Sequence, residues 1–453
     1  MPKFKTLFAL LLVAVMLVGC VAPAAPAAPA AQPAAEEAAA PAEAVPAGFD
    51  WKAYEGTTIR FLANKHPWTD AIEEYIPQFE AETGIKVNLE VLPEDQFRQK
   101  VLVELTTGAG TVDVFMSMPP QEGLKFHSAG WYEPLQDYIA NPALTSPDYD
   151  AADFLTGVMG AETISGDVIG IPIMMENEVL YYRKDIFADK GIAVPTTMDE
   201  LQAVAAELND PANDFYGFTA RGKGSAAVTQ FSTFLYNYGG EWLDADRKPI
   251  INSPEAIKAF EVYGGLLKDY GPPGSTNNHW YEASSILNQG KAAMYTDANS
   301  LFSVVENAES STVVGKIGYA MMPAGPAGNH PYVSVWGISM ASSSQYKEAS
   351  WYLMQWLTSK GIVKEAQMKG IPGGRRSVWA DADGAKAFPA DWVETFVQSN
   401  EIAYPYDRPP VVAVSEIRDV IGVVIITAIE GGDIQAAADQ AVEEMTAIMA
   451  STE

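Results

Sequence analysis

At 453 residues, 48% apolar and 11% aromatic, the chain is globular in composition and too long for one ordinary core, so two domains are expected. Its 58 acidic and 29 basic side chains leave a formal charge of -29, which argues against a nucleic-acid backbone as partner. A single cysteine excludes an internal disulfide. His66, His127, His279 and His330 lie far apart with no H-x-x-x-H or cysteine partner, so neither a metal nor a cofactor is expected.

The chain opens as an export signal. Lys3 and Lys5 precede an apolar run over 7–18, too short for a membrane span, that ends in Leu17-Val18-Gly19-Cys20. That ending is the lipobox pattern of bacterial lipoproteins; it predicts a signal peptide over 1–19 and lipidation of Cys20, the only cysteine. Residues 20–47 are almost wholly Ala and Pro with a few Glu. Such a composition buries nothing large, so an extended, disordered tether is expected.

The folded part begins with a strand over 57–63, a helix over 68–83, a strand over 85–92, a helix over 97–105 and a strand over 112–116. This β-α-β-α-β rhythm predicts parallel strands with crossover helices, a doubly wound α/β domain. Ligands of such sheets sit beyond the carboxyl ends of the strands, here at 64–68 and 117–121. Lys65, His66, Trp68 and Gln121 are the candidates there.

Residues 166–201 read as a tight turn at Gly166-Asp167, an apolar run interrupted by Pro172, a polar break at Glu176-Asn177-Glu178, and a β-branched and aromatic strand over 179–182. A helix from near Asp185 should close at Gly191, and Thr197 offers an N-cap with Asp199 and Glu200 behind it. The polar break is either an exposed loop or a crossing between two sheets whose side chains, Glu176 and Asn177 among them, face a cleft.

A strand over 215–219 leads to Arg221-Gly222-Lys223-Gly224, which lacks the Lys-Ser/Thr ending of a phosphate loop. An aromatic helix covers 228–238. Ser253, Pro254 and Glu255 give the next helix a cap, a proline and an acid in the expected order. Trp280 and Tyr281 precede a helix ending at Gly290, and Asp297 follows the strand that begins Lys291-Ala292-Ala293-Met294. A buried strand over 333–340 holds Trp336 and Gly337, and an amphipathic helix follows over 346–357. The apolar run over 420–429 is too short to span a membrane and is a buried helix or strand. A last helix covers 434–449.

These pieces, in this order, resemble the family 1 extracellular solute-binding proteins of bacterial ABC importers, the maltose-binding-protein-like group. The run from Gly166 through Pro172, Glu176 and 180–187 to 191–201 matches that family's G-x-x-Y-G-x-P, acid, L-Y-Y-R-K-D-L-F and G-x-x-x-P-x-T-W-x-E-L. Ile169 stands for the usual Tyr and Met198 for the usual Trp. Gly239-Gly240-Glu241-Trp242, Asn252-Ser253-Pro254-Glu255 and Gly290-Lys291-Ala292-Ala293-Met294 match further motifs. The segments 333–340, 346–360 and 371–377 are similar to the sugar and polyol-type members, with Gly374 where they carry Thr.

The resemblance implies an α/β, two-lobed periplasmic-binding-protein-like fold of type II, each lobe a doubly wound sheet flanked by helices. It places the first lobe at 48–160 plus 297–343 and the second at 161–296 plus 344–453. It further implies an extracytoplasmic monomer, lipid-anchored to the cell membrane on the outer face of the plasma membrane or in the periplasm, with a carbohydrate or polyol ligand, permease subunits as partners and no enzymatic activity. Sugar C–H faces stack on flat rings and hydroxyls need donors and acceptors in a dry cleft. The ring candidates are Trp68, Trp280, Tyr281 and Trp336. The polar candidates are Lys65, His66, Gln121, Glu176, Asn177, Arg221, Asp297 and Arg375, with Gly337 beside Trp336. A peptide or other non-sugar binder on the same fold, and an extracellular glycoside hydrolase, are the alternatives.

Overall fold

The computed structural model describes residues 48–404 and 406–452; the expected signal peptide, Cys20 and the tether lie outside them. Strands β1 (Thr58–Asn64), β2 (Lys86–Leu92) and β3 (Val114–Ser117) form a parallel ladder with β1 in the middle. The helix expected over 68–83 is instead Pro67–Ile72, a short 3-10 turn, then Ile76–Thr83. Pro77 causes the interruption, because it has no N–H to offer the carbonyl one turn earlier.

A hairpin of β4 (Thr163–Ile164) and β5 (Asp167–Val168) leads into β6 (Ile171–Arg183). The expected interruption at Glu176-Asn177-Glu178 does not occur. β6 is one strand of 13 residues, and all three polar residues are buried in it. Its first half pairs antiparallel with β10 (Val333–Met340), which continues the ladder to β3. Its second half pairs antiparallel with β8 (Ala292–Ala298) and β9 (Ile317–Met321), and β7 (Tyr216–Thr219) joins parallel to β8. One strand therefore serves two sheets. The polar residues sit where it passes from one lobe to the other, bonded to neighbours rather than to solvent, with one Glu178 oxygen left unpaired.

Each lobe has its own core. Phe61, Phe79 and Phe115 gather in the first, and Phe218, Phe231 and Tyr263 in the second. The expected lobe limits need correction. Trp351, Leu353, Ile362 and Ala366, placed by sequence in the second lobe, pack into the first core. The amphipathic helix Lys347–Leu357 follows β10 directly and covers the nearest apolar face of that sheet. Conversely β9, placed in the first lobe, completes the second sheet. The run at 420–429 lies in the helix Val414–Glu430, buried through Ile417, Ile421 and Val424. No helix among the described residues is long and apolar enough to cross a membrane.

Candidate functional site

A crevice opens between the lobes, its first wall built on the carboxyl end of β1. His66 caps the helix Pro67–Ile72, its Nδ1 accepting the Trp68 N–H at 3.3 Å, which leaves Nε2 facing Glu176 Oε1 at 3.7 Å. Glu176 also accepts from the Trp336 indole N–H at 3.1 Å and from the Ser300 hydroxyl. Burial alone would raise this carboxyl, but His66, Ser300 and Arg221 hold it below its ordinary value. Arg98 lies over the Trp336 ring, 5.1 Å from its centroid, and donates to Glu94 at 2.8 Å and Glu122 at 2.7 Å. Glu94 is likewise opposed by burial and held well below the carboxylate range by Arg98, His279 and Arg221.

Arg221 forms the second wall, just past β7. Its guanidinium grips Asp297 with two bonds of 2.8 and 2.5 Å. Asp297 is fully buried and also accepts from Gln230 at 2.9 Å, the Tyr295 hydroxyl at 2.7 Å and the Ala298 N–H at 2.7 Å. Beside it, Trp280 opens the helix Trp280–Asn288, capped by His279, and its indole stacks on Tyr281 at 3.7 Å. Thr229, Tyr332, Arg408 and Arg418 also line it.

As it stands the crevice encloses about 30 Å³, on the order of one or two water molecules. A solute can therefore enter only when the lobes part. Bonds across the gap hold them together: Gln121 reaches Arg408, Arg418 and Ser415, Lys125 meets Glu416 at 3.2 Å, and Lys223 meets Asp95 at 2.8 Å. On the far side of the Trp280–Tyr281 pair lies an open groove of about 470 Å³, with Lys65, Asp70, Asn288 and Lys369 among its lining.

The structure brings His66, Glu176, Arg221, Trp280 and Trp336 together around the crevice, with Lys65 and Tyr281 on the outer groove. The other expected residues do different work. Trp68 is 2% exposed and packs edge-on to Phe61, a core ring. Asn177 is spent on Asn299 and Asn400 at the crossing. Asp297 orients Arg221, and Gln121 ties the lobes together.

Gly337 is small because the buried Glu162 carboxyl stands where a Cβ would project. Arg375 is sealed inside the first lobe, bonded to the Thr358 and Asp150 carbonyls and lying over Phe154. Its motif placed it near a cleft, but its stem followed the apolar path into the core.

Glu94, Arg98, Thr229, Tyr332, Arg408 and Arg418 were not singled out. One signal was available: Arg418 shares the stripe of Ile421 and Ile425 on a helix whose apolar face is otherwise continuous. An arginine on such a stripe needs a polar partner elsewhere in the fold.

Glu178, on β6 at the crossing, is fully buried; one carboxyl oxygen accepts from Thr296 at 2.7 Å and the other has no partner. Burial pushes it up to about 8 from an ordinary 4.5, against the pull of Thr233, Thr296 and Arg221. The folded state thus keeps its proton while the unfolded chain loses it. That stability is fully present below the unfolded value and is lost as pH rises towards the folded one, at about 1.4 kcal/mol per unit. Glu178→Gln is expected to flatten the fall in melting temperature across this window and to melt above the wild type on its alkaline side. Equal slopes in the two proteins would show that Glu178 ionises freely in the fold.

The matches to known proteins agree with this geometry. A family model described as bacterial extracellular solute-binding protein matches residues 65–364. The chain is 29% identical over 350 residues to the erythritol/L-threitol-binding protein of Mycolicibacterium smegmatis, covering 73% of this chain and 72% of that one. It is 29% identical over 313 residues to the mannitol-binding protein of Pseudomonas aeruginosa, covering 67% and 70%. Among solved structures, the solute-binding protein of Agrobacterium radiobacter K84 in complex with ribitol superposes with a TM-score of 0.80 at 29% identity, covering 86% of this chain and 98% of that one. Two lobes, a crossing strand that serves both and a polar crevice between them complete the correspondence, and the chain belongs to the bacterial extracellular solute-binding protein family.

Proposed function

We propose that this protein captures a polyol or small carbohydrate by closing its lobes on it and delivers it to the permease of an ABC importer. The chain is a solute-binding component of such a transporter and not an enzyme. One observation carries the polyol reading: one narrow crevice pairs an indole, Trp280, with hydrogen-bonding side chains on both walls, His66 and the charged Glu176 and Arg221. The indole suits C–H faces, and charged groups bond neutral hydroxyls more strongly than neutral partners do. The erythritol/threitol-, mannitol- and ribitol-binding relatives support the same class. A solute touching both walls binds the closed form better, and only that difference in affinity moves the lobes.

His66, Glu176, Arg221, Trp280 and Trp336 are the proposed contacts, with Lys65 and Tyr281 available to a solute that extends into the outer groove. The lipobox and the lone cysteine support an anchor on Cys20, with 20–47 as tether, holding a monomer on the outer face of the membrane.

The test is a thermal-shift screen of alditols, monosaccharides and disaccharides, with amino acids and peptides as controls. A true solute at roughly a hundredfold over its dissociation constant should add about 2.7 kcal/mol. A rise in melting temperature with alditols or sugars is the expected result. A rise with amino acids or peptides alone would keep the importer component and replace the cargo.

A further inference from the structure

Resting on that reading, we propose that the solute is an acid: a polyol chain ending in one carboxylate, as in an aldonate, whose carboxylate is received by Arg408 and Arg418 at the start of the helix Val414–Glu430. The other crevice arginines each have their carboxylate. Arg98 holds Glu94 and Glu122, Arg221 holds Asp297, and Arg408 holds Asp407. Among the described residues Arg418 has none. It donates to the Gln121 side-chain carbonyl and, at 2.6 Å, to the Ser225 carbonyl, while its Nε has no partner although the residue is only 8% exposed. Arg408 donates to the same Gln121 oxygen. Two guanidiniums thus converge on one neutral atom.

A buried cation with no carboxylate bonded to it is unfavourable, and burial together with Arg408 and Arg98 pushes the Arg418 guanidinium down against the pull of Glu94 and Asp407. A second feature adds to the same place. Gln121 Nε2 donates to Ser415 Oγ at 3.0 Å in the first turn of the helix, and no side-chain bond caps that turn. The positive end of the helix dipole favours an anion there.

Lobe membership makes this a receiving site rather than a finished contact. Gln121 follows β3 in the first lobe, whereas the helix that carries Arg418 packs into the second core through Ile417 and Ile421. When the lobes part, Gln121 withdraws and the two guanidiniums lose their shared acceptor. A carboxylate on the second lobe offers two oxygens to the two forks, a geometry guanidinium groups match well. Glu94 and Glu176 line the rest of the crevice, suit hydroxyls and repel a second anion, so one charged end is specified.

Calorimetric titration of the full-length protein tests this with D-gluconate against D-glucitol and erythronate against erythritol. The aldonate of a pair is expected to bind roughly tenfold or more tighter than its alditol, and Arg418→Met to abolish the preference. Circular dichroism melting without ligand checks that the variant folds; if it does not, the wild-type pairs still decide. Alditols binding as tightly as their aldonates would overturn the acid reading and leave the polyol one standing. Failure of both classes to bind, with sugars also silent, would remove the two together.

Discussion

Asp297→Ala is expected to lower the stability of the protein by about 3–5 kcal/mol, the cost of leaving a buried charge without its partner. The carboxylate gathers two Arg221 bonds and the donors of Gln230, Tyr295 and Ala298, and it is fully buried. Its removal takes an acceptor from all of them at once, and only Gln230 keeps another, the Tyr332 hydroxyl. Asp297→Asn keeps one acceptor oxygen but not the charge, so it should fall between. Urea denaturation measures the series, and a midpoint for the alanine variant within error of wild type would show that Arg221 finds another partner. Solute affinity should fall as well, because Arg221 reaches the crevice only in the orientation Asp297 gives it.

Trp280→Ala is expected to weaken solute binding by about tenfold or more, through loss of the ring surface and its desolvation. Trp280 borders both the crevice and the outer groove, and Tyr281 already covers part of its indole. The residue also contributes to a small cluster with Ala283 and Leu287, so a lowered melting temperature will accompany the change. Calorimetry on the folded variant separates the two effects. Affinity equal to wild type would place the ring in the core alone. Trp280→Phe should recover part of the loss, since a smaller flat ring still stacks.

The fold could be read from the sequence where local rules and burial agreed. Helix caps at Thr197 and Ser253, and strands over 57–63 and 333–340, appear where their patterns put them, because each is set by its own residues and immediate neighbours. The site was legible only in part. His66 lies just past the carboxyl end of the first strand, and Glu176, Arg221, Trp280 and Trp336 lie in or near stretches that resemble the family, so position recommended them. Arg98, Arg408 and Arg418 lie on helices and a loop with no such mark, and they reach the crevice only because separate segments fold against each other.

What the sequence determined by itself was therefore local and modular: a β-α-β-α-β start and the order of motifs that places the chain among solute-binding proteins. What only the tertiary structure decided was non-local. Glu176, Asn177 and Glu178 read as a break because polar residues ordinarily leave a strand interior, yet they continue it, since partners 122 and 124 positions away accept or donate at the crossing. Arg375 read as a cleft residue and is a core cation, and residues 349–366 changed lobes. In each case the deciding energy was the desolvation of a polar or apolar surface by a segment distant in the chain, and no local pattern of residues encodes which segment that will be.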